Sequence, residues 1–284
     1  MDERVPTQRV SRDVTARGVR MRVAEAGGEG QAPLILIHDF LVSHLDFDDI
    51  IDELAVDFHV ISPVLPGFGD SEKPNPSRYS YGVETFAEAI ADLIAAYGMG
   101  RACVLGHGLG GAVAITLAAR YAELVTRLVV LDPLCYPHPL VRKLRVPLWP
   151  VMGGMLFKQL YGRGLFRRYF RDDVLSPGAV MPHARIDRFY DCFNAPSARE
   201  SAHAVLRSML DTRPVVARIA RIRRPTLVVW GREDRMVPAT FALKLSRDVP
   251  GARLTLMDTG HAPHVERPEE LVSVVSEFFA GKRG

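Results

Sequence analysis

The chain has 284 residues, of which 48% are hydrophobic, and a formal net charge of +3 at pH 7. This length and apolar content suit one large α/β domain, or one domain with an insertion. The small net charge, with no dense Lys/Arg block and no zinc-ligand spacing, argues against a nucleic-acid partner.

The cysteines and the apolar runs indicate in which compartment the protein is found. Cys103, Cys135 and Cys192 are far apart and odd in number, so they predict no disulfide framework and favour a reducing compartment. The stretch MDERVPTQRVSRD lacks the apolar core of a signal peptide. The longest apolar run, VPLWPVMGGMLF, contains prolines and is too short to cross a bilayer. We therefore expect a soluble cytoplasmic protein without a membrane span.

The first 133 residues predict strands that alternate with helices. Residues 8–28 alternate loosely between apolar and polar side chains, which indicates a β-hairpin with its turn near Arg17-Gly18. The run APLILIH is typical of a strand buried on both faces. Further strands are predicted at FHVISPVL, 102–105 and RLVVLDP, and helices at 46–56, 83–97 and 109–121. This alternation predicts a mostly parallel sheet with helices on both faces.

The periodicity changes after Pro133. Residues 134–213 show no buried-strand pattern and read as helices interrupted by proline. The strand pattern resumes at RPTLVVWG, followed by a helix near 239–247, the strand ARLTLMD and a closing helix at 268–280. We therefore predict an α/β fold with a mostly parallel sheet of about eight strands. Its core domain comprises residues 1–133 and 214–284, and residues 134–213 form a helical cap.

The stretch GHGLG at residues 106–110 lies between a predicted strand and a predicted helix. This placement is typical of a nucleophile elbow, in which G-x-S-x-G presents a serine on a sharp turn. Gly108 occupies the serine position, so no hydroxyl is available there to form an acyl-enzyme. Glycine relaxes such a turn. We expect Gly108→Ser to cost only about 1–3 kcal/mol of backbone strain and to create esterase activity if the rest of the site is competent.

Polar residues follow other predicted strands, at the edge where open α/β sheets build their sites. Asp234 lies in WGREDRMVP and His261 in GHAPHVERP. Each has a structural alternative, because Asp234 could cap the following helix and His261 could be a loop histidine. Asp132, at the end of LVVLDP, is a second candidate acid, but a turn role before Pro133 is favoured.

Five motifs in order resemble those of the α/β-hydrolase superfamily, in particular its capped esterases, epoxide hydrolases and C–C hydrolases: LILIHDF, PVLPGFGDSEKP, LGHGLGGAVA, WGREDRMVP and GHAPHVERP. The resemblance covers nearly the whole chain from about residue 20 onward. It implies that His261 is the catalytic base and Asp234 the acid that orients it. It also implies an oxyanion hole formed by the backbone N–H groups of Leu109 and Phe40, and a helix N-terminus at Leu109 suits this role.

The sequence departs from the family at two positions. One is Gly108, where the nucleophile is absent. The other is Asp39, which follows His38 where the family usually has glycine. Asp39 either brings a carboxylate near the oxyanion hole or adopts the left-handed backbone conformation that glycine usually supplies. His38 and His107 flank the site and are expected to serve in packing or hydrogen bonding.

Three functions remain open. In the first, His261 and Asp234 act as a general base on water or on an acidic substrate proton, without a covalent intermediate. In the second, the chain is a pseudoenzyme that binds a ligand or a partner. In the third, it is a serine esterase whose nucleophile has been replaced. No cofactor and no metal are expected in any of these cases.

The composition of the predicted cap favours a small lipophilic substrate or ligand, since binding pockets are mostly apolar. Its large apolar side chains are expected to form mainly the cap's own core: Trp149, Met152, Met155, Phe157, Tyr161 and Phe166. Its arginines are expected to form a solvated face: Arg163, Arg167, Arg168 and Arg171.

Overall fold

The computed structural model of the chain describes residues 9–28, 30–149, 152, 154, 155, 157 and 161–281. The stretch that was predicted to contain no signal peptide begins with residues 1–8, which lie outside the described residues. The strands are β1 Val10–Ala16, β2 Val19–Ala26, β3 Ala32–Ile37, β4 Phe58–Pro63, β5 Ala102–His107, β6 Val125–Leu131, β7 Thr226–Gly231 and β8 Arg253–Met257.

These strands form one sheet in the order β1-β2-β4-β3-β5-β6-β7-β8. The pairs β1/β2 and β2/β4 are antiparallel, and all other neighbouring strands are parallel. The hairpin between β1 and β2 turns at Arg17 and Gly18, both of which have positive φ. The prediction of a mostly parallel sheet of about eight strands is confirmed.

Helices connect the strands. In chain order they are α1 Ile51–Leu54, α2 Val83–Ala96, α3 Leu109–Arg120, α4 Arg142–Arg145, α5 Arg163–Tyr169, α6 His183–Phe193, α7 Pro196–Ser208, α8 Arg213–Ile219, α9 Thr240–Asp248, α10 Pro263–Glu266 and α11 Pro268–Phe279. Short 3-10 turns lie at His44–Phe47, Ala122–Leu124 and Val146–Leu148, and one π-helical turn follows α5 at Phe170–Val174. Within the described residues, no helix combines the length and the apolar character needed to cross a membrane.

The central strands are buried because both faces of the sheet are covered. In β3, Ile35 and Ile37 belong to one apolar core cluster, whereas Leu34 and Leu36 belong to the other. Successive side chains of a strand point to opposite faces, so the continuous apolar run serves two layers at once. The result is a rigid sheet whose carboxyl-terminal strand ends are fixed in position.

Between β6 and β7 the described residues contain helices and turns but no strand. Phe157, Tyr161 and Phe166 are buried there and pack around Phe193. The other three large apolar side chains were expected to belong to the core of this segment, and that expectation was wrong. Those of Trp149, Met152 and Met155 are 60%, 55% and 49% exposed.

The arginines of the same segment pair mainly with nearby acids. Arg163 and Arg167 contact Asp187, and Arg171 contacts Asp172. Their side chains are 40%, 36% and 66% exposed. Exposed pairs of this kind contribute little to stability, so these residues form a solvated, charge-balanced face.

The close packing of α3 on the sheet predicts a strong effect of Gly110→Ala. A Cβ atom at residue 110 would overlap the carbonyl oxygen of Ile37 and lie 2.6 Å from that of His38. We expect this substitution to lower the free energy of unfolding by about 1–3 kcal/mol or more, measured by urea denaturation. Gly164→Ala is the control, because a Cβ there meets nothing within 4 Å, and we expect it to be neutral or stabilising. Equal losses in the two variants would contradict the packing described for α3.

Candidate active site

The predicted elbow lies at the carboxyl end of β5. Gly108 has φ 51° and ψ −111° and immediately precedes the first residue of α3, Leu109. Its carbonyl accepts a hydrogen bond from the Leu134 amide at 3.0 Å, and its amide donates to the Leu131 carbonyl at 2.9 Å. Both ends of the turn are therefore tied to β6 and to the residues that follow it. The backbone conformation of an elbow is retained, and glycine adopts it without the strain that a side chain would bring.

The carboxylate of Asp39 occupies the space that a side chain at residue 108 would need. A Cβ atom on Gly108 would overlap Oδ1 and Cγ of Asp39 and lie 2.7 Å from Oδ2. Oδ1 accepts a hydrogen bond from the Leu109 amide at 2.6 Å, and Oδ2 lies 3.3 Å from Nε2 of His261. The expectation that serine fits at residue 108 at the cost of backbone strain alone was therefore wrong.

The structure also corrects two other expectations, one about the backbone of Asp39 and one about the oxyanion hole. Asp39 does not have positive φ, so it does not serve as a left-handed substitute for glycine; Leu41, two residues later, has φ 65°. The Leu109 amide, expected to bind a substrate oxyanion, is already paired with Asp39. The second expected donor, the Phe40 amide, makes no hydrogen bond in the part of the chain that the structure describes.

His261 and Asp234 lie in contact at the ends of β8 and β7. Nδ1 of His261 is 2.8 Å from Oδ2 of Asp234, and the two side chains are 3% and 0% exposed. Oδ1 of Asp234 accepts hydrogen bonds from the amides of Met236 and Val237 at 2.7 and 3.0 Å. Asp234 thus fixes the following turn with one oxygen and orients the imidazole with the other. It does not cap the following helix, α9, whose N-cap residue is Ala239.

The imidazole of His261 lies between two carboxyl groups. Burial lowers the pKa of His261, but Asp234 and Asp39 outweigh burial and raise it well above its usual value. Burial likewise opposes the charge on Asp39, yet His261, His107 and the Leu109 amide lower its pKa. The resting site therefore holds an imidazolium beside an ionised Asp39. His261, expected to be a base, begins as a proton donor.

Asp132 is buried behind this pair at the end of β6. Its φ is 45°, and its Oδ1 accepts a hydrogen bond from the Gly231 amide at 2.8 Å, which ties β6 to β7. Burial and the nearby charge of Asp234 raise the pKa of Asp132 well above its usual range. Burial therefore favours the neutral form of Asp132, which combines the expected turn role with a position beside the acid that orients His261.

A second buried cluster supports the first. His107 places Nδ1 2.9 Å from Oδ2 of Asp46 and Nε2 2.7 Å from the carbonyl oxygen of His261. Both partners are acceptors, so both ring nitrogens donate and His107 carries a positive charge. Burial opposes that charge, but Asp46 raises the pKa of His107. His264 donates from Nε2 to Oδ1 of Asp46 at 3.1 Å. Asp46 was not found from the sequence, since it lies in no motif.

His38 fixes the backbone of Asp39. Nε2 of His38 accepts a hydrogen bond from the Leu65 amide at 2.9 Å, so Nδ1 carries the proton and donates to the Asp39 carbonyl at 2.7 Å. Burial lowers the pKa of His38 to about 4, which keeps this neutral tautomer at physiological pH. The expected hydrogen-bonding role of His38 is thus to hold the loop that carries Asp39.

The segment between β6 and β7 lies against the site. The amide of His261 donates to the Val174 carbonyl at 2.7 Å. Glu266 accepts a hydrogen bond from the Gly260 amide at 2.9 Å and also binds the hydroxyl of Ser176. Tyr169, which ends α5, is buried, and the charges of Asp39 and Asp234 contribute to a pKa well above its usual value, after burial itself. Tyr169 carries no motif signal and was not found from the sequence.

The acid and histidine clusters also have the composition of a metal site. Asp39, His107 and His261 each bring one ligand atom within 4.8 Å of the others. However, both ring nitrogens of each histidine already contact protein oxygen atoms. Metal binding would have to replace those contacts, so the arrangement fits proton transfer better than coordination.

The fold and this arrangement at the strand ends define an α/β hydrolase. The chain matches the alpha/beta hydrolase family over residues 34–274 and belongs to it. It is 27% identical to 2-hydroxymuconate semialdehyde hydrolase of Pseudomonas sp. (strain CF600) over 280 residues. The matched region covers 95% of this chain and 94% of that protein. It is 25% identical over 274 residues to an uncharacterised hydrolase of Bacillus subtilis (strain 168), covering 94% and 97%.

A solved structure shows the same fold. The epoxide hydrolase CorEH without ligand superposes with a TM-score of 0.84 at 23% identity, covering 97% of this chain and all of the other, 100%. At this identity the likeness concerns the fold alone.

The charge on His261 is testable by NMR. We expect the imidazole to remain protonated well above its usual pKa of 6.5, and Asp39→Asn to lower its pKa because one carboxylate is lost. The raised folded-state pKa means that the contribution of this ion pair to stability is complete below pH 6.5 and falls as the pH rises through the folded value. Asp258→Asn, at a side chain 78% exposed, is the control and should leave the titration unchanged.

The overlap between Asp39 and residue 108 predicts non-additive effects of two substitutions. We expect Gly108→Ser alone to give no esterase activity, because the carboxylate blocks the hydroxyl and the Leu109 amide. The double variant Asp39→Gly/Gly108→Ser frees both and should exceed either single variant by at least about 10²-fold on short p-nitrophenyl esters. Fluorophosphonate labelling at residue 108 checks the same point. Full labelling of the single Gly108→Ser variant would contradict the steric argument.

Proposed function

We propose that this α/β-hydrolase family member is an enzyme that uses His261, paired with Asp234 and Asp39, for acid–base chemistry on a small lipophilic substrate. No serine acyl-enzyme takes part. The observation that carries the proposal is the imidazole of His261 held 2.8 Å from one carboxylate and 3.3 Å from another at the carboxyl edge of the sheet. Strongly shifted pKa values at such an edge are characteristic of catalytic groups.

The energetic cost of the arrangement supports a catalytic role. Removing charges from water costs several kcal/mol per ion even after relaxation, and the side chains of Asp39, His261 and Asp234 are 10%, 3% and 0% exposed. Apolar residues would fill the same space without that cost. A binding protein for an apolar ligand has no use for three buried ionisable groups aligned in this way.

The substrate proposal rests on the surroundings of the site. Residues 134–213 are proposed to form a cap, because Val174 and Ser176 contact the loop that carries His261. The relative from Pseudomonas is named for an organic semialdehyde, which is consistent with a small organic substrate. The proposed location is the cytoplasm, which the free thiols of Cys103, Cys135 and Cys192 favour.

One observation favours a non-catalytic ligand-binding protein as the second candidate. The Leu109 amide, which would bind a substrate oxyanion, is satisfied by Asp39 at 2.6 Å. The third alternative, a serine esterase that lost only its hydroxyl, is disfavoured, because Asp39 fills the space at residue 108.

The test is turnover in the His261→Gln variant. Purified protein is assayed against p-nitrophenyl esters, epoxides and β-diketones, with product formation followed by chromatography. For any compound that is turned over, we expect His261→Gln to reduce kcat/KM by about 10²–10⁴-fold. Glutamine retains a hydrogen-bonding side chain but cannot donate a proton as an acid.

His183→Gln is the matched control, because His183 is exposed at the start of α6. It should keep the wild-type rate. If the His261→Gln variant turns a compound over at the wild-type rate, the proposal is contradicted. Tight binding of an apolar compound without any turnover would favour the ligand-binding alternative.

A further inference from the structure

The two departures of the sequence from its family meet at one point. The loop after β3 places the Asp39 carboxylate where the side chain of a nucleophile at residue 108 would lie. The contacts of that carboxylate are those expected of an elbow nucleophile. It touches the amide at the start of α3 at 2.6 Å and the imidazole of His261 at 3.3 Å.

The Asp39 carboxylate is held in place and keeps a small exposed surface. Its backbone carbonyl is fixed by Nδ1 of His38. Its side chain keeps 10% of its surface exposed, against 3% for His261. Each carboxylate oxygen has two lone pairs, so Oδ2 retains one for an electrophile while it faces the imidazolium. An ionised carboxylate, unlike a serine hydroxyl, needs no base to become a nucleophile.

We propose that Asp39 is the nucleophile of this enzyme, displaced from the elbow to the loop after β3, and that it opens a small strained cyclic ether through an ester on Oδ2. This inference rests on the proposed function, because it uses His261 as the proton donor. The protonation states fit the order of events, since Asp39 starts ionised and His261 starts protonated.

In the first step, Oδ2 of Asp39 attacks a ring carbon and the ring carbon–oxygen bond breaks. The oxygen that leaves takes the proton from Nε2 of His261, which becomes neutral. In the second step, Nε2 takes a proton from water, and the hydroxide adds to Cγ of Asp39. The charge then develops on Oδ1, where the Leu109 amide already donates a hydrogen bond. The bond from Cγ to the alkyl-bearing oxygen breaks, and the new carboxylic acid gives its proton to the departing alkoxide.

The sum of these steps is a cyclic ether plus water giving a diol, and Asp39 and His261 return to their starting states. The pairing of Leu109 with Asp39 explains the substrate class. An ester substrate would find this oxyanion donor occupied, whereas an ester formed on Asp39 itself finds the donor in place. A leaving alkoxide also needs the proton that the imidazolium provides, which a halide would not.

The experiment is a single turnover with styrene oxide as the probe, with enzyme in excess in H₂¹⁸O. We expect the diol formed to contain no ¹⁸O, because one oxygen comes from the probe and the other from Asp39. The peptide that contains Asp39 should gain one ¹⁸O by mass spectrometry. In His261→Gln the first step lacks its proton donor and the second step lacks its base, so we expect neither diol nor ¹⁸O uptake at Asp39.

Asp39→Asn is the matched variant, because its amide oxygen can still accept the Leu109 hydrogen bond. It should show neither ¹⁸O uptake at residue 39 nor an adduct, with its thermal unfolding compared to confirm that it folds. Asp258→Asn should behave as wild type. His261-dependent turnover with ¹⁸O in the diol and none in Asp39 overturns the nucleophile role and leaves the acid–base enzyme intact. If neither the wild type nor any variant turns over styrene oxide or forms an adduct, this inference is overturned. The proposed function is then decided separately, by whether p-nitrophenyl esters or β-diketones are turned over.

Discussion

A carboxylate from the loop after β3 and a side chain at the elbow compete for one volume. The Asp39 carboxyl group lies where a Cβ atom on Gly108 would be. The two unusual residues are therefore one structural feature and not two independent changes. This shared volume explains why the amide at the start of α3 has a partner although the elbow presents no side chain.

The charges around that volume form an alternating series. Asp39 and Asp234 flank the imidazolium of His261, and Asp46 pairs with the protonated His107, whose other nitrogen holds the His261 carbonyl. A buried charge without a partner is destabilised by desolvation, and removing one member of a buried pair costs about 3–5 kcal/mol. Every member of the series thus depends on its neighbours. The loop after β3, the elbow and the loop after β8 are coupled by electrostatics as well as by packing.

The sequence is sufficient to predict the sheet, because hydrophobic runs report burial directly and strand ends follow from them. It also indicates that His261 and Asp234 share one edge, since both follow parallel strands. The side-chain position of Asp39 could not be predicted, because it depends on a loop whose path is set by the His38 contact. Asp46 was missed for a similar reason. Its role arises from two histidines distant in the chain, and it lies in a short 3-10 turn where a longer helix was expected.

The geometry also links the two departures to each other. With serine at residue 108, an aspartate at 39 in its present conformation would overlap the serine Cβ, so the carboxylate would be forced away from the Leu109 amide and His261. With glycine at 108 and no carboxylate at 39, the volume would be empty, and Nε2 of His261 and the helix amide would both face it without a protein partner. An aspartate at 39 then fills the void and satisfies both donors in one step. The site is consequently an elbow whose side-chain volume and hydrogen-bond donors are both taken up by the carboxylate of a neighbouring loop.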